Sequence, residues 1–423
     1  MMKRKTFLQD MMLLAGASCL PLRQLLAQPA KPKTILLVSG WQYYNIGDIA
    51  HTPGLLALLN TYLPDTNVIL WPGHEVRAID QMLLRKYPDL QIVTGSIRDG
   101  EVESEEVIRA AETADFMLHG SGPSVVAQSK LQWWKSRIKK PYGIYGITVE
   151  DIGQERRDVL DNASFVYLRD TLSEKNLRDN NIKAGAIGFA PDATFAMDLR
   201  NDHDAVNFMN AHQLQRKQFL CVVTRLRRTP YYQLGRDWTA EQINEVDTLN
   251  DQHKEEDNKK LREAIITWVR QTGLPVVVCP EMSYQLSIMD ELVIDPLPPD
   301  VRSHVIKMDR YWFCDEAASL YASATAVVSM ECHSPIIACY NNTPAFYLRQ
   351  PQDTIKGQMW YDVGLEDWVF EIEETTGQEI ASRLMEVYDD YGAAQRKLEV
   401  AMDHVRNIYR ETMLDVRIRI FSA

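Results

Sequence analysis

Short apolar runs recur along the chain, separated by stretches whose apolar positions return at helical spacing. Ile35-Leu-Leu-Val38, between Thr34 and Ser39, is a continuous apolar run, the pattern of a parallel strand buried on both faces. Val68–Trp71, Gln91–Thr94, Phe116–His119, Gly143–Ile147 and Phe165–Leu168 repeat it, with helical patterns at Pro53–Tyr62 and Ser104–Ala114 between them. A second series starts at Phe219–Thr224 and continues with Pro275–Cys279, His304–Lys307, Ala326–Ser329 and Ala345–Tyr347. Strand–helix alternation of this kind predicts α/β architecture with parallel sheets. The polar stretch Asp198–Gln218 separates the two series and is read as a hinge. Asn244–Lys260 is strongly charged and reads as a solvated face or flap ahead of an amphipathic helix, Leu261–Gln271. Two further helices, Gln378–Tyr391 and Ala393–Thr412, close the chain.

These patterns divide the chain into residues 31–213 and 214–350, two Rossmann-like domains facing a cleft, and 351–423, helices that pack back on them. In such sheets ligands sit beyond the carboxyl ends of the strands. The residues that matter are therefore those just after each strand.

Residues 1–30 do not fit this pattern. Lys3-Arg-Lys5, a modest apolar core from Met11 and small residues up to Ala27 are the parts of an export leader. Arg4-Lys5-Thr6-Phe7-Leu8-Gln9 is similar to a twin-arginine signal with Lys as its second basic residue, which predicts a periplasmic location. The apolar core is too short to span a membrane, and no other run is long enough.

Composition narrows the function classes. The chain has 46 Lys+Arg against 58 Asp+Glu, a net charge of −12, which argues against nucleic-acid partners. Six cysteines, at 19, 221, 279, 314, 332 and 339, show no C-x-x-C spacing, so neither a disulfide scaffold nor a zinc site is expected.

The strand ends carry the candidate chemistry. After the first strand come Asn45, Asp48 and His51, with Thr52 as the expected N-cap and Pro53 as the first helical residue. Asp48 is either a general base or a partner of the helix dipole. The turn His119-Gly120-Ser-Gly122 lets a ligand approach the backbone closely. Arg169-Asp170-Thr171 opens a helix for which Thr171 and Glu174 spell a capping box, and Asp192 follows in another turn. Arg225 ends the first strand of the second series, where its planar fork suits a carboxylate or phosphate. The most specific stretch is Glu331-Cys332-His333-Ser334-Pro335. There Ser334 is the expected N-cap, the free N–H groups form an anion site, and Glu331 with His333 suits acid/base work. Trp41, Trp133, Trp134, Trp238 and Trp360 either stack on sugar rings or pack internally.

Taken in order, Asn45-Ile-Gly47-Asp48, His119–Gly122, Arg169-Asp170-x-x-Ser173, Pro191-Asp192-Ala-Thr-Phe195, Thr224-Arg225, His333 and Lys356 resemble the polysaccharide pyruvyl transferase family, over about Ile35 to Trp368. The resemblance implies a GT-B-like pair of domains. It also implies transfer of the enolpyruvyl group of phosphoenolpyruvate, as co-substrate, onto two hydroxyls of a glycan acceptor, with no metal or other cofactor. It implies that Arg225 and His333 contact the donor and that Asp48 and Asp192 lie near the acceptor or structure the cleft; the order of the stations adds Ser334, Gly120, Gly122 and Lys356 as candidates for the anionic donor, and Asn45, His51, His119 and Arg169 as candidates for the acceptor side. The candidate catalytic residues are Asp48, His333 and Glu331, the last from its nearness to His333 and not from the resemblance. Where the family pattern reads Arg-x-His, this chain has Glu331-Cys332-His333. That reversal, together with the export leader, leaves two alternatives open: an exported glycan-directed hydrolase or other GT-B-type transferase, or a catalytically silent glycan-binding protein.

Overall fold

A computed structural model describes residues 32–39, 43–73 and 76–422. The leader up to Ala27 and Trp41 lie outside these residues. The first sheet has seven parallel strands in the spatial order Gln91–Ile92, Thr66–Trp71, Lys33–Val38, Phe116–His119, Tyr142–Ile147, Val166–Leu168 and Ile187–Phe189. The second has six, in the order Val305–Lys307, Val276–Val278, Leu220–Val223, Ala326–Ser329, Ala345–Arg349 and Val369–Glu371. In both, the chain runs outward in one direction from its first strand and then returns to the other side of it. The order reverses between Lys33–Val38 and Phe116–His119, paired at Val38 and His119, and between Leu220–Val223 and Ala326–Ser329, paired at Val223 and Ser329. These are the switch points at which α/β sheets bind ligands.

The inner strands are apolar throughout because helices cover both sheet faces. One continuous core joins Leu37 and Phe116 of the first sheet to Val222 and Val328 of the second. The terminal helix Tyr391–Ser422 returns to the first domain. There Tyr409 Oη donates to the Asp192 carbonyl at 2.6 Å and Tyr145 Oη meets Thr412 Oγ1 at 2.7 Å.

Several local expectations give way to tertiary structure. The first helix spans Ile46–Tyr62 rather than starting at Pro53. Its cap is Asn45, whose side chain accepts from the N–H groups of Gly47 and Asp48 at 2.8 and 3.3 Å. Pro53 lies inside it. Asp48 and His51 therefore stand on one helix face, three residues apart, instead of in a loop. Asp170, not Thr171, caps the next predicted helix by accepting from Ser173 N at 2.7 Å, while Thr171 donates to Asp362. The charged stretch from Asn244 belongs to a single 33-residue helix, Ala240–Thr272, opened by a Thr239/Gln242 capping box. Its Asp257 is buried against Arg227 at 2.7 Å and its Asn258 against Thr224. The second sheet also runs past residue 350, to its edge strand Val369–Glu371. The expected hinge holds the helix Asp202–Ala211, packed on the helix Cys314–Ser323.

Candidate active site

The two switch points are stitched together by backbone. Ile46 N donates to the Glu281 carbonyl at 3.0 Å, Ser283 N donates to the Tyr44 carbonyl at 3.0 Å, and Asn45 bridges Met282. This presses the first turn of the helix Ile46–Tyr62 against the helix His333–Tyr340. A Cβ added at Gly47 would stand 2.6 Å from the His333 Cβ, so only glycine allows the approach.

Around this contact lies a buried His–Asp–His cluster. Asp192 Oδ1 is 2.9 Å from His51 Nδ1 and accepts from Thr194 N at 2.9 Å, while its Oδ2 accepts from Arg169 Nη1 at 2.6 Å. His333 Nε2 lies 3.9 Å from the same Oδ2, and the two imidazole rings meet edge to face at 4.9 Å. Burial opposes ionisation of Asp192, but His51, Arg169 and His333 hold its carboxyl well below the usual range. On the far side, His333 Nδ1 is 3.4 Å from Glu281 Oε1, and Glu281 Oε2 accepts from Ser334 N at 2.6 Å. Burial also opposes an imidazolium, yet the Cys332 sulfur and the Glu281 carboxylate raise His333 well above the ordinary histidine value. The two carboxylates favour the protonated ring, which makes His333 a candidate proton donor.

The anion site expected at Ser334 is thus already filled. The helix begins at His333, Cys332 is its cap, and the Glu281 carboxylate occupies the Ser334 N–H. Arg225 is similarly engaged. Its Nη1 pairs with Asp353, its Nε lies 3.5 Å from Glu331 Oε1, and Lys356 Nζ is 3.3 Å from Asp353 Oδ1. Two cations face two carboxylates. Burial pushes Glu331 up to about 7, against the pull of Arg225, whereas Arg225 and Lys356 keep Asp353 ionised well below the usual range despite its burial. Gln285 Nε2 donates to Glu331 at 2.9 Å, so Glu331 faces Arg225 and Gln285 rather than pairing with His333. Arg225 Nε has no hydrogen-bond partner among the described residues.

The remaining predicted residues divide between cavity and scaffold. Asp48, His51 and Gly122 line a cavity of about 540 Å³ on the first-domain side, and Arg225 lines one of about 520 Å³ with Tyr231 and Trp238 on the second. His119 is scaffold: burial lowers it to about 4, its Nδ1 faces the Gly120 carbonyl at 2.7 Å and its Nε2 accepts from Ala127 N at 3.1 Å. Gly120 donates to the Val38 carbonyl at 2.7 Å, extending the strand pairing. Arg169 is buried between Thr148 and Asp192. Trp133, Trp134 and Trp360 are core residues.

Ligand atoms of His51, Asp192 and His333 lie within 4.8 Å of one another. A metal fits poorly there, because the Arg169 guanidinium already neutralises Asp192 and both carboxylate oxygens accept hydrogen bonds. Glu281, Gln285 and Asp353 were not singled out from sequence. The only signal for Glu281 is its place three residues after the strand Val276–Val278.

Two Rossmann-like sheets joined at their switch points define the GT-B class of glycosyltransferases and epimerases. A putative UDP-N-acetylglucosamine 2-epimerase from Listeria monocytogenes shares the fold with a TM-score of 0.61 at 11% identity, over 92% of this chain and 97% of that one. UDP-GlcNAc 2-epimerase from Neisseria meningitidis, bound to UDP-GlcNAc, gives 0.56 at 10% identity over 92% and 100%. ADP-heptose LPS heptosyltransferase II of E. coli gives 0.51 at 12% over 87% and 99%. The model of the family "Polysaccharide pyruvyl transferase" matches residues 45–350, and the chain belongs to that family of glycan-modifying transferases. No curated protein matches the sequence significantly.

Proposed function

We propose that this protein transfers a pyruvyl group from phosphoenolpyruvate, or a related enolpyruvyl anion, to two hydroxyls of a sugar in a glycan. The observation that carries this reading is the place of His333, fixed between Glu281 and Asp192 where the two domains meet. His333 gives its proton to the methylene carbon of the donor, which makes the adjacent carbon electrophilic. One sugar hydroxyl adds there and loses its proton to Asp48. A second hydroxyl then displaces phosphate and its proton restores His333, leaving a cyclic ketal, while the departing phosphate carries off the proton taken by Asp48. Asp48 lines the first-domain cavity and Arg225 the second-domain one, so this reading seats the acceptor in the first and the donor in the second. Arg225, whose Nε faces Glu331 at 3.5 Å without a hydrogen bond, receives donor charge. Incubation with phosphoenolpyruvate and candidate glycans, followed by ³¹P and ¹H NMR, tests the reading. Release of phosphate together with a ketal methyl signal is expected, and its absence with every glycan refutes it.

Glu331 supports a second reading. A carboxylate beside Arg225 offsets the charge a phosphorylated donor needs, and the leader proposes export away from cytosolic phosphoenolpyruvate. Both favour a non-phosphorylated donor or ketal removal. Cell fractionation and sequencing of the mature N-terminus test export; a cytosolic chain that keeps Met1 refutes it.

A further inference from the structure

The first-domain cavity carries two basic side chains for which the proposed chemistry has no use. Lys130 is buried, its Nζ donating to the carbonyls of Trp71 at 3.1 Å and Pro72 at 2.7 Å and lying 4.2 Å from the Trp71 ring centroid. An ammonium has three donors, so one remains after these two bonds. Among the described residues no ion pair is formed by Lys130. Burial without a counter-ion is costly, and it lowers Lys130 to about 7. Arg236 comes from the other domain. Its guanidinium carbon sits 3.9 Å from the Tyr231 ring centroid, its head is exposed, and it has no carboxylate partner among the described residues. Both line the cavity, together with Asp48, the one carboxylate on its described lining. At the rim, Tyr43 is 52% exposed, a flat surface of the kind on which sugars stack.

In a chain of net charge −12, two basic side chains from two domains, both on one cavity and both without a carboxylate partner among the described residues, point to a negative ligand, whose charge would also restore that of Lys130. Asp48 repels an anion, so the hydroxyl end of the ligand faces Asp48 and His51 and the anionic end faces Lys130 and Arg236. We propose that the acceptor is an acidic sugar, bearing a carboxylate or phosphate, whose negative group is held by Lys130 and Arg236 across the two domains. This rests on the acceptor side of the reading above.

The test needs no donor and is therefore separate from the test of transfer. Binding of methyl β-glucuronide, methyl β-glucoside, glucose 6-phosphate and inorganic phosphate to the full chain is measured by ligand-observed NMR. The glucuronide or the sugar phosphate is expected to bind about tenfold more tightly than the glucoside, the scale of one charge-assisted hydrogen bond. Which of the two binds better identifies carboxylate or phosphate as the group read. Arg236→Gln, at an exposed position, should erase the preference without disturbing the fold. Lys130→Arg should keep it and Lys130→Met lose it. Equal binding of charged and neutral sugars overturns the proposal, as does binding of none. So does inorganic phosphate matching the sugar phosphate, or an Arg236→Gln variant that retains the preference. If the acidic sugar binds but no ketal forms with any donor, the transfer reading alone fails.

Discussion

Glu281 and His333 connect the two halves of the site. One carboxylate oxygen of Glu281 lies 3.4 Å from the imidazole Nδ1 of His333, and the other caps the N–H of Ser334. Its backbone carbonyl meanwhile accepts from Ile46 of the other domain. One residue thus holds the charge of the proposed acid, anchors its helix and touches the partner domain.

Glu281→Gln should remove the charge but keep an acceptor for Ser334. The folded value of His333 is raised, so its charge stabilises the fold fully below the unfolded value and is lost as pH rises through the folded one. In the variant that loss comes earlier. The basic limb of the pH–rate profile should move to lower pH, with activity at pH 8 down about ten- to a hundredfold and little change near pH 6. An unmoved limb would assign the proton to another group.

Glu331 has the same sign, because burial raises its folded value to about 7. Its contribution is present below the ordinary carboxylate value and fades as pH rises through about 7. Glu331→Gln is expected to stabilise the protein by about 1–3 kcal/mol at pH 8 and by little at pH 5, read from denaturant midpoints at both values. Equal effects at the two pH values would show that Glu331 is not the titrating group.

Reversing the charge is the complementary change. Glu331→Arg places a second guanidinium beside Arg225 and should raise affinity for phosphoenolpyruvate about tenfold or more at low salt. Calorimetric titration measures it. No gain would mean that Asp353 and Lys356 already fix the charge balance of this pocket.

Asp192→Asn leaves the buried Arg169 without its carboxylate and keeps only one of the two acceptor oxygens that Arg169, His51 and Thr194 share. Removing one partner of a buried pair costs about 3–5 kcal/mol, so a large fall in thermal midpoint accompanies the loss of activity. A fall of only a degree or two would contradict the structural role given to this carboxylate.

Gly47→Ala tests the domain contact. The added methyl collides with the His333 side chain, and overpacking of this kind costs about 1–3 kcal/mol. The larger effect is on position: a displaced imidazole should lower turnover about a hundredfold, with kcat falling more than KM changes. Wild-type kcat in this variant would show that the two domains separate during turnover.

Much of the framework was legible in sequence. The apolar runs at Ile35–Val38, Val276–Val278 and Ala326–Ser329 became buried parallel strands, because a strand covered on both faces needs an unbroken apolar segment. The chain segments just after the strands could be located for the same reason; Arg225 follows Leu220–Val223, while Asp48 and His333 lie in the first turns of the helices that follow their strands. The opposing charges could not be located. Glu281 is 53 positions from Ser334, and Asp353 is 128 from Arg225, so no local spacing links them. Even the cap of the first helix was decided at a distance: Thr52 and Pro53 make a sound local start, but Asn45 takes the role where the chain pairs with Met282. Likewise Asn244–Lys260 looks solvated when read alone and becomes a long helix whose Asp257 is buried only because Arg227 meets it. Hydrophobic patterning acts over a few residues and is written along the chain. Charge compensation acts through space and is settled only when the two sheets bring distant carboxylates and cations together.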